Sequence, residues 1–347
     1  MRFMPIVQPS FSLQLLTAGL RGHPPPEAQW PSVLKVASRS WLSPALYVAL
    51  ARSSRLDEAP ADVRDYLDFL HERNRERNRR LREQLVEAVG ALNAQGIELI
   101  LLKGAVHLFC APAEILGARM MSDLDLSVEP EEMVQARSAL ERLGYRDVGD
   151  TRGMGRSGAV ALIEMRDRPS KRVRRYLLRD LRAASYSVEQ VGTVARVPNS
   201  TCRAIHLIVH DMIKEGDYWR WRMDLRHLHD LAELASAAEG IDWHQIAATL
   251  SDRIGRGALE IQATALHHLF DVPTPPELRG GMARLVHVGR VFSGAGGVIG
   301  ASVRVAGNIR WGFQKLTTAH AYQWQGGRDF IQRACRVLLE PPKGSRL

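Results

Sequence analysis

The chain has 347 residues, enough for two domains or for one domain with a sizeable helical extension. Its hydrophobic fraction of 45% is ordinary for a globular protein, so the chain can bury a core. The formal net charge of +9 favours an anionic partner, such as a nucleotide, a nucleic acid or an acidic surface. Charge alone does not distinguish a mononucleotide from a polymer.

Cysteine usage and hydropathy argue against a disulfide-stapled secreted protein and against a membrane-spanning protein. Cys110, Cys202 and Cys335 are scattered and lack zinc-ligand spacing, which suits a reducing cytoplasm better than a disulfide-stapled domain. The first 26 residues contain no sustained apolar core and no small-residue cleavage site, so we interpret them as mature protein. No apolar stretch reaches the length of a membrane span. We therefore expect a cytoplasmic protein without a membrane partner.

The first part of the chain predicts helices. Short helical patterns are broken by "GHPPPEAQWP" and "DEAPAD", and a long amphipathic helix follows, "DYLDFLHERNRERNRRLREQLVEAVGALNAQG". In it Leu81, Leu85 and Val89 recur at helical spacing, and Gly96 marks its end. We interpret Asn74, with the Arg and Glu around it, as part of the solvated face of this helix.

The middle of the chain alternates between strand and helix patterns. "IELILLKG" predicts a buried strand, "AVHLFCA" a short helix and "DLDLSV" a second strand. "EPEEMVQARSALERLGY" predicts a helix with acids in its first turn, and "GAVALIEMRD" a third strand. Beyond about residue 168 helical patterns dominate, notably "AIHLIVHDMIKEG" and "WRMDLRHLHDLAELASAAEG".

This order of elements predicts an α+β fold. We expect a small mixed-sheet core flanked by N-terminal helices and by a helical C-terminal region. The predicted boundaries are 1–94 for the N-terminal helical region, 95–170 for the α/β core and 171–347 for the C-terminal region.

Two carboxylates stand out in the second predicted strand. Residues two apart in a strand point to the same face, so Asp123, Asp125 and Ser127 share one side. Leu124 and Leu126 share the other side and can enter the core. Two ionised carboxylates so close repel each other unless a cation intervenes, and hard oxygen ligands suit Mg²⁺ or Mn²⁺. The strand therefore predicts a divalent-cation site facing a cleft.

The flanking residues suit phosphate binding. Lys103 and Gly104 lie at a predicted strand-to-helix turn, where backbone N–H groups form an anion site. Arg119 carries a planar guanidinium group, whose paired N–H donors bind phosphate oxygens. A third metal-binding and catalytic carboxylate is expected from a neighbouring strand: Glu164 is our choice and Asp167 the alternative.

Together these motifs resemble a known family. The pattern "LLKGA", a spacer containing Arg119, and then "SDLDLSV" resembles the DNA polymerase beta-like nucleotidyltransferase superfamily. More narrowly, it resembles the bacterial uncharacterised nucleotidyltransferase family, over about residues 70–145. The resemblance implies that Asp123 and Asp125 bind the catalytic divalent ions. It also implies a nucleotide-binding role for Ser122, and a triphosphate held at the turn of Gly104.

The resemblance implies a metal-dependent enzyme that moves an NMP group from an NTP, such as ATP, to a hydroxyl acceptor and releases pyrophosphate. The acceptor is open: a small molecule, RNA or protein. One departure from the superfamily is that Gly104 is followed by Ala105, which lacks a hydroxyl. This motivates the alternative of a non-catalytic nucleotide- or RNA-binding module. The oligomeric state has no signature in the sequence.

Two histidines have a spacing that can also bind zinc. His206 and His210 stand one helical turn apart, but no Glu follows the first and no third ligand is evident. We expect packed or partner-bonded histidines instead. Asp224 and Asp230, on the following helix, are expected to have structural roles.

A basic segment and a tryptophan pair leave two interpretations open. "RDRPSKRVRRYLLRDLR" has eight basic residues against two acids, so it is either a solvated helix or an anion-attracting rim beside the cleft. "WRWRMD" is either a base-stacking platform or a source of helix-packing aromatics, Trp219 and Trp221.

Overall fold

A computed structural model of the chain describes residues 9–149, 153–169, 173–177, 181–293 and 297–319. Within this part of the chain it contains 13 α-helices and one seven-stranded mixed sheet. The predicted α+β class is confirmed, with helices before and after the sheet.

The helices, in chain order, are α1 (Pro9–Gly19), α2 (Trp30–Arg39), α3 (Ser43–Arg52), α4 (Ala61–Asn93), α5 (Gly104–Cys110), α6 (Met133–Arg142), α7 (Ser200–Ile208), α8 (Asp217–Arg220), α9 (Leu225–Ser236), α10 (Trp243–Thr249), α11 (Arg253–Phe270), α12 (Gly281–Ser293) and α13 (Gly297–Ala319). A π-helical segment, Val209–Lys214, continues α7. None of the described helices is both long enough and apolar enough to cross a membrane.

The strands are β1 (Ile100–Leu101), β2 (Asp123–Ser127), β3 (Arg146–Asp147), β4 (Gly153–Gly155), β5 (Leu162–Arg166), β6 (Ser185–Gln190) and β7 (Thr193–Pro198). Their order in the sheet is β3-β4-β5-β2-β1-β7-β6. The β2–β5 and β1–β7 pairs are parallel, and the other pairs are antiparallel.

Two apolar clusters form the core, and α4 belongs to both. Val63 and Leu67, early in α4, pack in a cluster shared with α1, α3, α7, α9 and α11. Leu81 and Leu85, later in the same helix, pack in a cluster shared with the sheet and α5. A single 33-residue helix thus holds the N-terminal helices and the sheet in one arrangement.

The interpretation of Asn74 as part of a solvated face was wrong. Asn74 and Asn78 are 5% and 0% exposed. The Asn74 Nδ2 atom donates to the carbonyls of Gly117 (2.7 Å) and Arg119 (3.1 Å), and that of Asn78 donates to the carbonyls of Leu116 (2.7 Å) and Arg119 (2.8 Å). Buried carbonyls of an irregular loop need donors, and α4 supplies them at an i, i+4 spacing.

The last two strands were not predicted from the sequence. They form a hairpin whose turn residues, Val191 and Gly192, have φ of 52° and 70°. Both central residues of a type I′ turn need positive φ, and Val is a rare residue there, so the usual Asn-Gly signal is missing. This hairpin lies beyond residue 170, within the predicted C-terminal region, and β7 joins the sheet beside β1. The domain boundaries stay a prediction.

The buried amide of Asn78 yields a stability prediction. Asn78→Ala leaves two buried carbonyls without this donor, which we expect to lower the free energy of unfolding by about 1–3 kcal/mol in urea titrations. The control is Arg73→Ala, an exposed position on the same helix, which should change it by less than about 0.5 kcal/mol. Equal effects of the two substitutions would contradict the role given to Asn78.

Candidate active site

Three carboxylates meet on two neighbouring strands. Each of Asp123, Asp125 and Glu164 offers an oxygen that lies within 4.8 Å of the others. The parallel register of β2 and β5 explains this, because it sets Asp125 directly opposite Glu164. The alternate residues Leu124 and Leu126 are fully buried, which anchors the strand. The cluster therefore follows from strand alternation and register; the metal-binding role of its members stays a prediction.

Two cations partly neutralise this cluster. Lys103 Nζ lies 2.9 Å from Asp125 Oδ2, and Arg166 Nη2 lies 3.1 Å from Asp125 Oδ1 and 2.7 Å from Glu164 Oε2. Burial opposes ionisation of Asp125, but Lys103 and then Arg166 outweigh it and hold the pKa below the ordinary value. Asp125 is thus a buried but ionised carboxylate. In direct contact, three carboxylates thus share two cations, Lys103 and Arg166.

The turn before α5 is strained. Lys103 has φ 48° and ψ −120°, and Ala105 N donates to Leu102 O at 3.0 Å. These values describe the first central residue of a type II′ turn, where glycine is preferred. Strain of this kind typically costs about 1–3 kcal/mol and concentrates at functional sites. Here the conformation carries the Lys103 amine to Asp125.

The backbone of Gly104 is closely approached by two side chains. A Cβ atom at this position would lie 2.6 Å from Arg119 Nη1, so the Arg119 guanidinium would have to move, and 3.0 Å from Met121 Sδ. Gly104 therefore lets the loop that carries Arg119 pack directly on the first turn of α5.

Arg119 forms an ion pair that was not predicted. Its Nε lies 3.0 Å and its Nη2 2.8 Å from Asp230 Oδ2 on α9. The two side chains are 11% and 19% exposed. Burial opposes ionisation of Asp230, but Arg119 outweighs it, so the pKa of Asp230 falls well below the ordinary value. The predicted phosphate contact of Arg119 stays a prediction.

Ser122, also predicted to bind nucleotide, is exposed and donates to Asp123 Oδ1 at 3.2 Å.

A second polar cluster lies on the C-terminal helices. Within the described residues, the possible metal ligands there are His210, Asp211 and His227, and His206 is not among them. Asp211 Oδ1 lies 3.0 Å from His210 Nδ1 and 2.8 Å from His227 Nδ1. These are hydrogen-bonding distances, so His210 is the partner-bonded histidine that we expected.

Two cavities adjoin the carboxylate Asp125. The smaller, of about 220 Å³, is also lined by Asp123, Ser122 and Gly104. The larger, of about 1160 Å³, extends between the N-terminal and C-terminal helices. Its cationic lining residues include Arg166, Arg168, Arg182, Arg203, Lys214 and Arg226. Both cavities are lined by Lys103, Arg119 and His210.

The basic segment is partly described. Residues 170–172 and 178–180 lie outside the described residues. Arg166, Arg168 and Arg182 line the larger cavity, which favours the anion-attracting interpretation for this part of the segment. Asp167, the alternative third carboxylate, lines the larger cavity but is not in the group with Asp123 and Asp125.

A tryptophan that no sequence pattern singled out lies at the cavities. Trp41, between α2 and α3, lines both cavities, and the Arg226 guanidinium lies 5.1 Å from its ring centroid. Trp219 packs on Trp311 at 5.2 Å, and among the described residues lining the two cavities neither Trp219 nor Trp221 appears. No local motif marks Trp41, because its position depends on how the N-terminal helices pack.

Comparison with known proteins gives a match at the level of a family. A family model described as "Uncharacterised nucleotidyltransferase" matches residues 26–271, a span that includes all seven strands and ends just after α11. No curated protein and no solved structure matches the chain.

The buried pair of Arg119 and Asp230 yields a pH prediction. Asp230→Asn leaves a buried guanidinium uncompensated, so at pH 7 we expect the free energy of unfolding to fall by about 3 kcal/mol. The pKa of Asp230 is lowered in the folded state, so the pair stabilises at neutral pH and loses this effect in acid. Urea titrations should therefore show a smaller difference between variant and wild type at pH 3 than at pH 7.

The control for this pH dependence is Asp57→Asn, because the Asp57 side chain is 97% exposed beside Arg64. It should have little effect at either pH. A difference between Asp230→Asn and wild type that stays constant from pH 7 to pH 3 would contradict the ion-pair assignment.

Proposed function

This chain belongs to the uncharacterised nucleotidyltransferase family, and from that premise we propose that it moves an NMP group from an NTP to a hydroxyl acceptor and releases pyrophosphate. The family description supports a nucleotidyl-transfer role. The reaction, its metal and its site residues are our proposal, and they rest on the carboxylate cluster.

The carboxylate cluster carries the proposal. Asp123, Asp125 and Glu164 supply closely spaced oxygens, the donor type that Mg²⁺ and Mn²⁺ prefer. The cluster has one more carboxylate than directly paired cations, and Asp123 is not paired with Lys103 or Arg166, so its oxygens can accept a divalent cation. When bound, such an ion would stabilise the charge that develops on the attacking and leaving oxygens.

The smaller cavity suits the triphosphate. It is lined by the amine of Lys103, the turn at Gly104, the hydroxyl of Ser122 and the carboxylate of Asp123. Arg119 and Arg226 line the same space and add positive charge. We propose that these groups bind the β- and γ-phosphates and hold the α-phosphorus beside Asp125.

The larger cavity suits the acceptor. Asp125 lines both spaces, so an acceptor in the larger cavity would lie next to an α-phosphorus held beside Asp125. A volume of about 1160 Å³ is ample for a small molecule or a chain end. Fixing both reactants and offering preorganised charge supplies most of the rate in such a transfer.

The second candidate is a non-catalytic nucleotide-binding module. It is favoured by Lys103 and Arg166, which lie on the carboxylate oxygens that a metal ion needs, and by Ala105, which has no hydroxyl for a phosphate. This candidate predicts that an NTP binds and raises the melting temperature but that no pyrophosphate is released.

The test is pyrophosphate release with Mg²⁺, each NTP in turn, and a cell extract as the source of acceptor. We expect release by the wild type. Asp123→Asn removes several kcal/mol of transition-state stabilisation and should slow release by at least about 100-fold. The control is Asp147→Asn, an exposed residue of β3 paired with Arg137, which should leave the rate unchanged.

The outcomes separate the candidates. A stable, folded Asp123→Asn variant with the wild-type rate refutes the role of the carboxylate cluster. A wild-type protein that binds the NTP but releases no pyrophosphate with any NTP or extract supports the non-catalytic module.

A further inference from the structure

We propose that His210 accepts the proton of the acceptor hydroxyl and that the buried Asp211 is the residue that positions it. This inference rests on the proposed nucleotidyl transfer and adds a catalytic and a positioning residue to it. The evidence is a hydrogen-bonded cluster on the C-terminal helices that faces the same cavities as Asp125.

The cluster is built on an irregular helical turn. Val209–Lys214 is π-helical, a local insertion that often occurs at functional sites. It places Asp211, which is 1% exposed, beneath the side chains of His210 and His227. A single carboxylate oxygen, Oδ1, is in hydrogen-bonding reach of the Nδ1 atoms of both imidazoles.

Asp211 fixes one proton of His227. An ionised carboxylate can only accept, so His227 Nδ1 donates to Asp211 Oδ1 at 2.8 Å. Burial lowers the pKa of His227, but the charges of Asp211 and Asp224 outweigh it and raise that pKa above the ordinary value. Arg226 Nη2 lies 3.1 Å from His227 Nε2. Arg226 donates to Met120 O at 2.8 Å, which fixes this arrangement. The cluster is thus held together as a hydrogen-bond network around Asp211.

The orientation of His210 leaves its Nε2 atom without a hydrogen bond to any described residue. Asp211 holds the Nδ1–H group, so the Nε2 lone pair lies on the opposite edge of the ring. His210 lines both cavities, as do Lys103 and Asp125. Its Nε2 lies 4.0 Å from Glu215 Oε1, at the wall of the smaller cavity. In this arrangement the carboxylate of Asp211 orients the imidazole of His210, as the aspartate of a catalytic triad orients its histidine base.

The surroundings of His210 keep it neutral. Burial lowers the pKa of the imidazole; the hydrogen bond to Asp211 opposes this shift, and the charge of Lys103 adds to it. The pKa of Asp211 is itself lowered, because the two imidazoles outweigh the effect of its burial. An ionised Asp211 beside a neutral His210 is the state that a general base requires.

The acceptor hydroxyl loses its proton in the same step in which its oxygen attacks the α-phosphorus. As the acceptor oxygen forms its bond to the α-phosphorus, its proton passes to His210 Nε2, and the bond to the bridging oxygen breaks. Pyrophosphate leaves with that electron pair. The imidazolium that forms is stabilised by Asp211 and returns its proton to solvent after the product departs. A general base of this kind contributes about 10²- to 10⁴-fold to the rate.

The test compares His210→Ala with the wild type in the pyrophosphate-release assay, with and without added imidazole. We expect a rate at least about 100-fold lower and partial recovery with imidazole, which a merely structural histidine would not give. Mg²⁺ with an NTP should still raise the melting temperature of the variant. The matched control is His206→Ala, one helical turn away, whose rate should not respond to imidazole.

Asp211→Asn is the second variant. It should slow release without imidazole rescue, because His210 is still present but wrongly held. A His210→Ala variant that keeps the wild-type rate, or that loses the rate without rescue, overturns the inference. A wild-type protein that releases no pyrophosphate overturns the proposed function itself, so the two failures are distinguishable.

Discussion

The parallel pairing of β2 with β5 is the constraint on which the site depends. It brings Glu164 opposite Asp125 and beside Asp123, so three carboxylates share a small volume. Such a group is stable only with compensating charge, and Lys103 and Arg166 provide part of it. Lys103 reaches Asp125 from the strained turn before α5.

Helices outside the sheet hold this arrangement in place. α4 donates from Asn74 and Asn78 to the loop before β2, and from Gln84 to Ala161 O at 2.8 Å, just before β5. α9 contributes Asp230, which fixes Arg119. The site is thus built from the N-terminal helices, the sheet and the C-terminal helices together, and its cavities lie where the three meet.

The sequence predicted what depends on local patterns. Alternation in "DLDLSV" indicated that Asp123 and Asp125 share a face, and the strand pattern around Glu164 indicated a neighbouring position. It could not predict contacts that arise from packing. Arg119 and Asp230 are 111 positions apart, and a buried Asn78 looks the same in sequence as an exposed one. The β6–β7 hairpin was missed because its Val-Gly turn lacks the usual residues.

The most direct test is anomalous diffraction from crystals grown with Mn²⁺ and a non-hydrolysable NTP analogue. Mn²⁺ takes the same oxygen ligands as Mg²⁺, so an anomalous peak is expected at roughly 2.1 Å from carboxylate oxygens of Asp123 and Asp125, with the analogue's phosphates beside it. Crystals with the analogue bound but no such peak, and with Lys103 and Arg166 still on Asp125, would contradict the account.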